Sequence, residues 1–365
     1  MEYVQERIAT LHDLCREAPA DDVAAENAAV VVPMTDREHA SLAAERVLTE
    51  LEAVDPAAVF VPVRAPKERI EPFREWLESF SLPIRVLWCN APDVEDLFAE
   101  AGLAEGFGKG RDVWLALGPA ADAAEYVVVH DADAKSYDAG HVARLLEPLA
   151  QGYDFSKGYY ARVENRTLYG RLCRLFYEPL LRTLEDAHDE PIVPYLDAFR
   201  YALAGEFAFT ADLARRIRAP PAWGLEVAVL GDAFAHADFS GTAQVDLGRH
   251  EHDHRSVAGE TGLEGMSQEV AEALFHVLEE GGVDLQYETL SDRYREEGRR
   301  LVEAYRADAA FNGLEYDPAA EREQVDRYAE AIAPPGPDRR LPPWIDAPFS
   351  SEAVVAAARP WLDSR

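Results

Sequence analysis

Lysine is nearly absent. Lys67, Lys109, Lys135 and Lys157 are the only four in 365 residues, and the other 32 basic residues are arginines. Against these 36 cationic side chains stand 68 Asp and Glu, a formal charge of −32. A chain without a basic footprint is excluded as a generic nucleic-acid binder, which must neutralise phosphates. It is equally excluded from docking on anionic lipid through a polybasic face. Cysteine is scarce too: Cys15, Cys89 and Cys173 lie far apart with no CxxC spacing, which rules out a disulfide frame or a cysteine-rich metal site. No apolar run approaches the ~18 residues of a membrane span, and no basic-then-apolar pattern marks the N-terminus. The sequence therefore reads as soluble and cytoplasmic, with no membrane or nucleic-acid partner. Acid-rich, lysine-poor composition matches proteins of cytoplasms that hold molar salt, where repulsion is screened and net charge keeps them soluble. An ordinary acidic protein from a GC-rich genome is the alternative. What the chain does have is apolar material, 48% of its residues, ample for a core.

That material is arranged in alternation. Residues 28–33 (AAVVVP), 57–63, 84–89 and 126–130 (YVVVH) read as strands; 37–51, 67–80, 94–101 and 112–121 read as helices. Continuous apolar strands separated by helices imply an α/β fold, a parallel sheet covered on both faces. Ligands of such sheets sit beyond the carboxyl ends of the strands. Further strands are expected over 154–161, 201–210 and 242–247, and helices over 168–184, 225–235, 268–280, 290–312, 319–332 and 353–358. Residues 333–343 form a proline-rich linker. The organisation expected is a main unit over 1–265, made of two halves near 25–135 and 136–265. A helical region over 266–332 and the linker with its terminal helix over 333–365 follow.

Five segments carry chemistry. His130-Asp131-Ala132-Asp133 closes a buried strand with two carboxylates, hard oxygen ligands for a divalent cation bridging a diphosphate; a solvated acidic turn is the plainer reading. Arg249-His250-Glu251-His252-Asp253-His254 packs three of the ten histidines into five residues, either metal ligands on one side of a strand or polar surface. Gly106-Phe-Gly-Lys109-Gly-Arg-Asp-Val-Trp114 is a glycine-rich entry to a helix, where N–H groups can meet an anion. It has neither Walker nor dinucleotide spacing. Arg171 and Arg174, three apart on one helix, can converge on an anion or pair with Glu178, while Pro179 should kink or end that helix. Glu206 and Glu226 sit in apolar context, as catalytic groups or as buried hydrogen-bonding groups. From Lys157 to Arg182 the charge reverses, with six basic residues (Lys157, Arg162, Arg166, Arg171, Arg174, Arg182) against Glu164 and Glu178.

In this order the segments resemble the retaining glucosyl-3-phosphoglycerate synthases, nucleotide-sugar glycosyltransferases of the GT-A type. The resemblance is carried by GKG…W (Lys109, Trp114), the DxD string, KGYY (Lys157 to Tyr160) and GR before EPLL (Gly170, Arg171, Glu178 to Leu181). It continues in AGEF (Gly205, Glu206), WGLE (Trp223 to Glu226), QVDLGRHEH (Gln244 to His252) and AAFNGLEYD (Ala309 to Asp317), so that it spans about 28–332. It implies a Rossmann-like mixed sheet with helices on both faces plus a C-terminal helical extension, the half near 25–135 being the nucleotide-sugar half and that near 136–265 the acceptor half. Also implied are a nucleotide-sugar donor, a small phosphorylated acceptor, Mg²⁺ or Mn²⁺, and transfer of glucose to 3-phosphoglycerate in compatible-solute synthesis. The metal would be bound by Asp133 and His252, with Asp131 nearby. Pro33, Met34, Thr35, Asp36 and Arg37 would form the nucleotide loop, and Lys109 would contact the donor. Trp223, Gly224, Leu225 and Glu226 would line the sugar, with Glu226 near the reacting centre. Gly170, Arg171, Leu172, Cys173 and His254 would hold the phosphoglycerate. Cys173 stands where a threonine is usual, and the first loop reads PMTDR where PALNE is usual. The resemblance leaves UDP-glucose and GDP-glucose both open as the donor, and because the related mannosylglycerate synthases share similar motifs, a mannosyltransferase using GDP-mannose with glycerate or phosphoglycerate is the alternative. A metal-dependent phosphohydrolase using the HxHxH run, or a non-catalytic sugar-nucleotide binder, are alternatives of other classes. The helical tail offers a homodimer surface.

Overall fold

The computed structural model describes residues 5–14, 25–103, 105–252 and 263–361. Cys15 and His254 lie outside them. Strand β1 (Ala9–Leu11) precedes β2 (Ala28–Val31) and the short β3 (Met34–Thr35), followed by α1 (Leu42–Val54), β4 (Ala58–Arg64), α2 (Lys67–Leu77), β5 (Ile84–Trp88) and α3 (Pro92–Glu100). Then come α4 (Lys109–Ala123), β6 (Tyr126–Val129), α5 (Gly140–Ala150), β7 (Phe155–Ala161) and the β8 (Val163–Glu164) and β9 (Thr167–Leu168) hairpin. After a π-helical turn over Cys173–Tyr177 follow α6 (Glu178–Glu185), α7 (Ile192–Asp197), β10 (Phe207–Thr210), α8 (Ala211–Ala214), α9 (Leu225–Ala237) and β11 (Thr242–Arg249). The C-terminal helices are α10 (Leu263–Glu280), α11 (Tyr287–Asn312), α12 (Pro318–Tyr328) and α13 (Ser351–Ala358).

Nine strands form one sheet in the order β1-β11-β7-β10-β6-β2-β4-β3, with β5 also on β4. All neighbours run parallel except β10, which is antiparallel to both β6 and β7. The sheet is therefore mixed, as expected, and one strand reverses it next to the strand that ends in Asp131. The strands β2 and β6 are apolar throughout because helices cover both faces. One cluster of buried side chains runs from Val30 and Phe60 through Phe155 and Leu274 to Trp344. Among the described residues no helix is long and apolar enough to cross a membrane.

Several boundaries differ from the sequence reading, each for a local reason. Helix α1 starts at Leu42, not at 37, because the Ser41 side chain caps it by accepting from the Ala44 N–H. The Glu38 carboxylate accepts from the Thr35 N–H at 2.6 Å and from its hydroxyl at 2.7 Å, which holds 35–40 as a turn. Strand β10 is confined to 207–210, and Ala204-Gly205-Glu206 is a loop. Pro179 does not end its helix: it sits at the start of α6 after a π turn. The Leu175 carbonyl, which a residue at 179 with an N–H would have bonded, accepts instead from the Tyr294 hydroxyl of α11 at 2.5 Å. Helices α5 and α7 had no counterpart in the sequence reading.

The C-terminal strap reaches back across the molecule. Trp344 stacks on Trp114 of α4 with ring centroids 4.6 Å apart. The Trp114 indole donates to the Pro342 carbonyl at 2.8 Å, and the Trp344 indole to the Trp114 carbonyl at 2.6 Å. Gly118 makes the stacking possible: a Cβ there would lie 2.4 Å from the Trp344 ring. The strap thus packs on the helix whose first residue is Lys109.

Candidate active site

The glycine-rich entry to α4 works differently from the anion cradle that its composition suggests. The N–H groups of Gly110 and Arg111 are already used, donating to the carbonyls of Ala222 (3.0 Å) and Pro221 (2.9 Å). Glycine is required for this approach, since a Cβ on Gly110 would lie 1.9 Å from the Pro220 carbonyl oxygen. The notch grips residues 220–222 and so fixes Trp223-Gly224-Leu225-Glu226 against Lys109. Gly224, at φ +93°, caps α9, and a Cβ there would meet the Cβ of Ala273 at 2.7 Å.

Two acidic residues from distant segments converge on Lys109 as a result. Its Nζ lies 2.6 Å from Asp131 Oδ1 and 2.8 Å from Glu226 Oε1. Burial alone would depress the lysine's pKa, but these two carboxylates outweigh it and hold the ammonium above its usual range. Burial would likewise raise Asp131, yet the Lys109 charge holds it below the usual carboxylate range. Gly205 supports Asp131 from behind, because a Cβ there would lie 2.1 Å from its Oδ2.

Asp133 and His252, 119 residues apart in sequence, meet beside this triad, with His252 Nδ1 3.1 Å from Asp133 Oδ1. Their segments are joined by a bridge between Ala134 and His252 and by the Lys135 N–H donating to the Glu251 carbonyl at 2.7 Å. The His252 N–H donates to Glu164 at 3.0 Å. Among the described residues no group of three or more His, Cys, Asp or Glu would hold a metal by itself. One carboxylate oxygen and one imidazole nitrogen within reach of a single ion instead fit a cation that completes its shell with substrate phosphates and water. The donor set fits Mg²⁺ or Mn²⁺ on these terms.

Beneath these groups lies a buried layer made of Lys157 from the basic island, Glu206 and His250. Lys157 of β7 is fully buried. Its ammonium donates to the Ala204 carbonyl and sits 4.9 Å from the Phe207 ring. Burial pulls its pKa down to about 8. Glu206 is also buried, with no hydrogen-bond partner among the described residues for either carboxylate oxygen, and desolvation with the nearby Asp131 charge pushes it up. His250 stacks on Tyr160 at 4.1 Å, and burial followed by the His252 charge pulls it down to about 2. Its ring is therefore neutral and faces the core. Among the described residues the HxHxH run brings His252 alone to Asp133, and not the histidine cluster of a metal phosphohydrolase.

The remaining residues singled out from sequence are placed as follows. Met34 and Thr35 form β3 on β4, with Met34 buried; Pro33, Asp36 and Arg37 flank it at the strand ends. Trp223 is 40% exposed, whereas Leu225 is in the core and offers the site no side chain. Gly170 adopts φ +77°, and a Cβ there would come within 2.5 Å of the Tyr201 hydroxyl. Cys173 is buried and its thiol is pushed up to about 12. Arg171 and Arg174 do converge on one anion, but it is the side chain of Glu321, far along the chain. Arg182 pairs with Glu178 at 2.5 Å. Half of the six basic residues of the island, Arg171, Arg174 and Arg182, are thus ion-paired within the protein. Arg162, counted from sequence only as one member of the basic island, bonds Tyr201, while its buried Nε has no partner among the described residues.

No protein-family model matches the chain. The glucosyl-3-phosphoglycerate synthase of Methanococcoides burtonii is 33% identical over 367 residues, spanning 94% of this chain and 91% of its own length. That of Persephonella marina is 38% identical over 286 residues, spanning 74% and 70% respectively. Among solved structures, the Mycobacterium tuberculosis glucosyl-3-phosphoglycerate synthase in complex with Mn²⁺, UDP and glucosyl-3-phosphoglycerate aligns at a TM-score of 0.56 and 22% identity, covering 76% of this chain and 89% of its own. The mannosyl-3-phosphoglycerate synthase of Rubrobacter xylanophilus aligns at a TM-score of 0.55 and 21% identity, covering 71% and 76%. The fold they share with this chain is the GT-A type.

Proposed function

The chain belongs to the glucosyl-3-phosphoglycerate synthase family, and on that premise we propose that it transfers glucose from UDP-glucose to 3-phosphoglycerate with retention at the anomeric carbon. The bond between C1 and the diphosphate oxygen breaks, a bond from C1 to the acceptor hydroxyl oxygen forms, and the hydroxyl proton passes to the departing diphosphate on the same face. The products are UDP and glucosyl-3-phosphoglycerate. The observation that carries this reading is Lys109 held between Asp131 and Glu226, with Asp133 and His252 alongside, at the carboxyl end of β6.

Each residue has a role in that scheme. Asp133 and His252 would hold Mg²⁺ or Mn²⁺, which when bound neutralises charge developing on the diphosphate. Lys109 adds a second, fixed cation that needs no reorganisation as the leaving group departs. Glu226, oriented by Lys109 at 2.8 Å, steadies positive charge at the anomeric carbon and positions the acceptor hydroxyl. Trp223, half-exposed at the head of α9, lines the sugar, and residues 33–37 receive the nucleotide. The acceptor's anionic groups are held by the Gly170–Cys173 stretch, by Arg171 and by the unpartnered edge of Arg162. The main transferase unit is residues 1–265, and the same reading places the enzyme in the cytoplasm, where both substrates are made. A mixture of UDP-glucose and GDP-mannose at equal concentration, given with 3-phosphoglycerate and Mn²⁺, tests the donor. UDP release that depends on acceptor supports the proposal; preferential GDP release overturns the donor assignment.

A further inference from the structure

The stretch that precedes the π turn does not stand by itself. Its surroundings come from the junction of α11 and α12, about 150 residues later. Gly313 ends α11 in a left-handed turn at φ +64°. There its carbonyl accepts from Arg166 Nη2 at 2.6 Å, and the Glu315 N–H donates back to the Arg166 carbonyl at 2.7 Å. Thr167 and Glu315 form a parallel bridge. Asp317 then caps α12 through the N–H groups of Ala319 and Ala320, and the first turn of that helix presents Glu321.

Glu321 is buried, with only 5% of its side chain exposed, and its two oxygens serve different arginines. Oε1 accepts from Arg171 Nε at 2.9 Å. Oε2 accepts from both Nη groups of Arg174 at 3.2 Å, while Arg174 Nε donates to the Tyr169 carbonyl at 2.9 Å and its guanidinium covers the Tyr305 ring at 4.6 Å. The two arginines are therefore not equivalent. Arg174 is fully committed inside the protein. Arg171 is held only by its Nε edge and keeps 45% of its side chain exposed, with its outer face free to meet a ligand. A guanidinium has five donors in a rigid plane, so fixing Nε fixes the direction of the other edge.

We propose that Glu321 is a positioning residue for the acceptor: it clamps Arg171 from beneath so that the outer edge of the guanidinium is preset for the phosphate or carboxylate of the three-carbon acid. The C-terminal helices would then complete the acceptor site through a residue that never touches the substrate. This rests on the reading of Gly170–Cys173 and Arg171 as the acceptor stretch. Preorganising one charged donor in this way is worth about tenfold in acceptor affinity.

The test is a double-mutant cycle on the full chain, reading KM for 3-phosphoglycerate and for UDP-glucose with wild type, E321Q, R171A and R171A/E321Q. E321Q keeps the shape and one acceptor oxygen; E321D serves in the same cycle should E321Q not fold. The expected result is an acceptor KM raised about tenfold in E321Q, with donor KM unchanged. In the R171A background E321Q adds no further rise, because there is nothing left to position. An equal rise in both backgrounds, or a loss of thermal stability with unchanged acceptor KM, overturns the inference and leaves Glu321 a structural ion pair. An R171A enzyme with normal acceptor KM overturns the acceptor-stretch reading itself and this inference with it. A raised KM in R171A alone overturns only the role of Glu321.

Discussion

Replacing Gly110 by alanine tests whether the glycine notch, and not an anion, is what the GKG segment serves. The new Cβ would stand 1.9 Å from the Pro220 carbonyl oxygen and 3.1 Å from that of Ala222, against backbone that has no rotamer to yield. Close-packed atoms do not tolerate such a contact, so the 220–222 loop must retreat by more than ~1 Å. Glu226 stands in the first turn of α9, which this loop leads into, and its 2.8 Å contact with Lys109 opens. Losing one charge-assisted hydrogen bond costs about 1.5–3 kcal/mol, and a misplacement of ~1 Å in a reacting constellation costs about a hundredfold. The two figures agree on a fall of kcat/KM near a hundredfold. Stability should move far less, because overpacking of ~1–3 kcal/mol is partly offset by the ~1 kcal/mol that alanine gains over glycine in a helix. The assay is acceptor-dependent UDP release by purified G110A, with a melting curve alongside. A folded G110A enzyme within about threefold of wild type would refute the reasoning.

Two further perturbations address the charges. In D133A the chain keeps His252 but loses the carboxylate 3.1 Å from it, and metal-dependent turnover should fall at least ~10³-fold with little change in melting temperature, since the Asp133 side chain is 39% exposed; near-normal turnover would remove Asp133 from the site. Lys157, with its pKa near 8, is charged below that pH and neutral above it. A cation beneath Asp131 and Glu226 is thus lost as pH rises, and kcat/KM should decline above about pH 8. K157R, whose guanidinium stays charged, should move that limb beyond about pH 9 if the buried strand accepts the larger head group; a limb unmoved in folded K157R assigns it to another group.

Local chemistry made much of this site legible. Asp131 and Asp133 declared themselves by ending an apolar strand, and Glu226 by following a Trp-Gly turn into a helix. Lys109 stood out as one of few lysines, although its glycines proved to grip protein backbone and not an anion. What could not be read was non-local. That Arg171 and Arg174 share an anion followed from their spacing, but its identity as Glu321 depends on how α12 docks 150 residues later. Helix α5 was hidden by Gly140 and Pro148 at its ends, and α1 was read too long because nothing weighed Ser41 as a cap. The buried Lys157 and Glu206 are polar letters in strand-like runs, and only the packing of β7 against β10 shows them to be the floor of the site.

Retention-type glucosyl transfer to a phosphorylated three-carbon acid is decided by the identity and anomeric configuration of the product. The enzyme would be incubated with UDP-glucose, 3-phosphoglycerate and Mn²⁺, and the sugar product examined by NMR. The expected product is glucosyl-3-phosphoglycerate with the α configuration of the donor, formed in step with UDP and absent when 3-phosphoglycerate is withheld. Free glucose without acceptor, or a β-linked product, would contradict it.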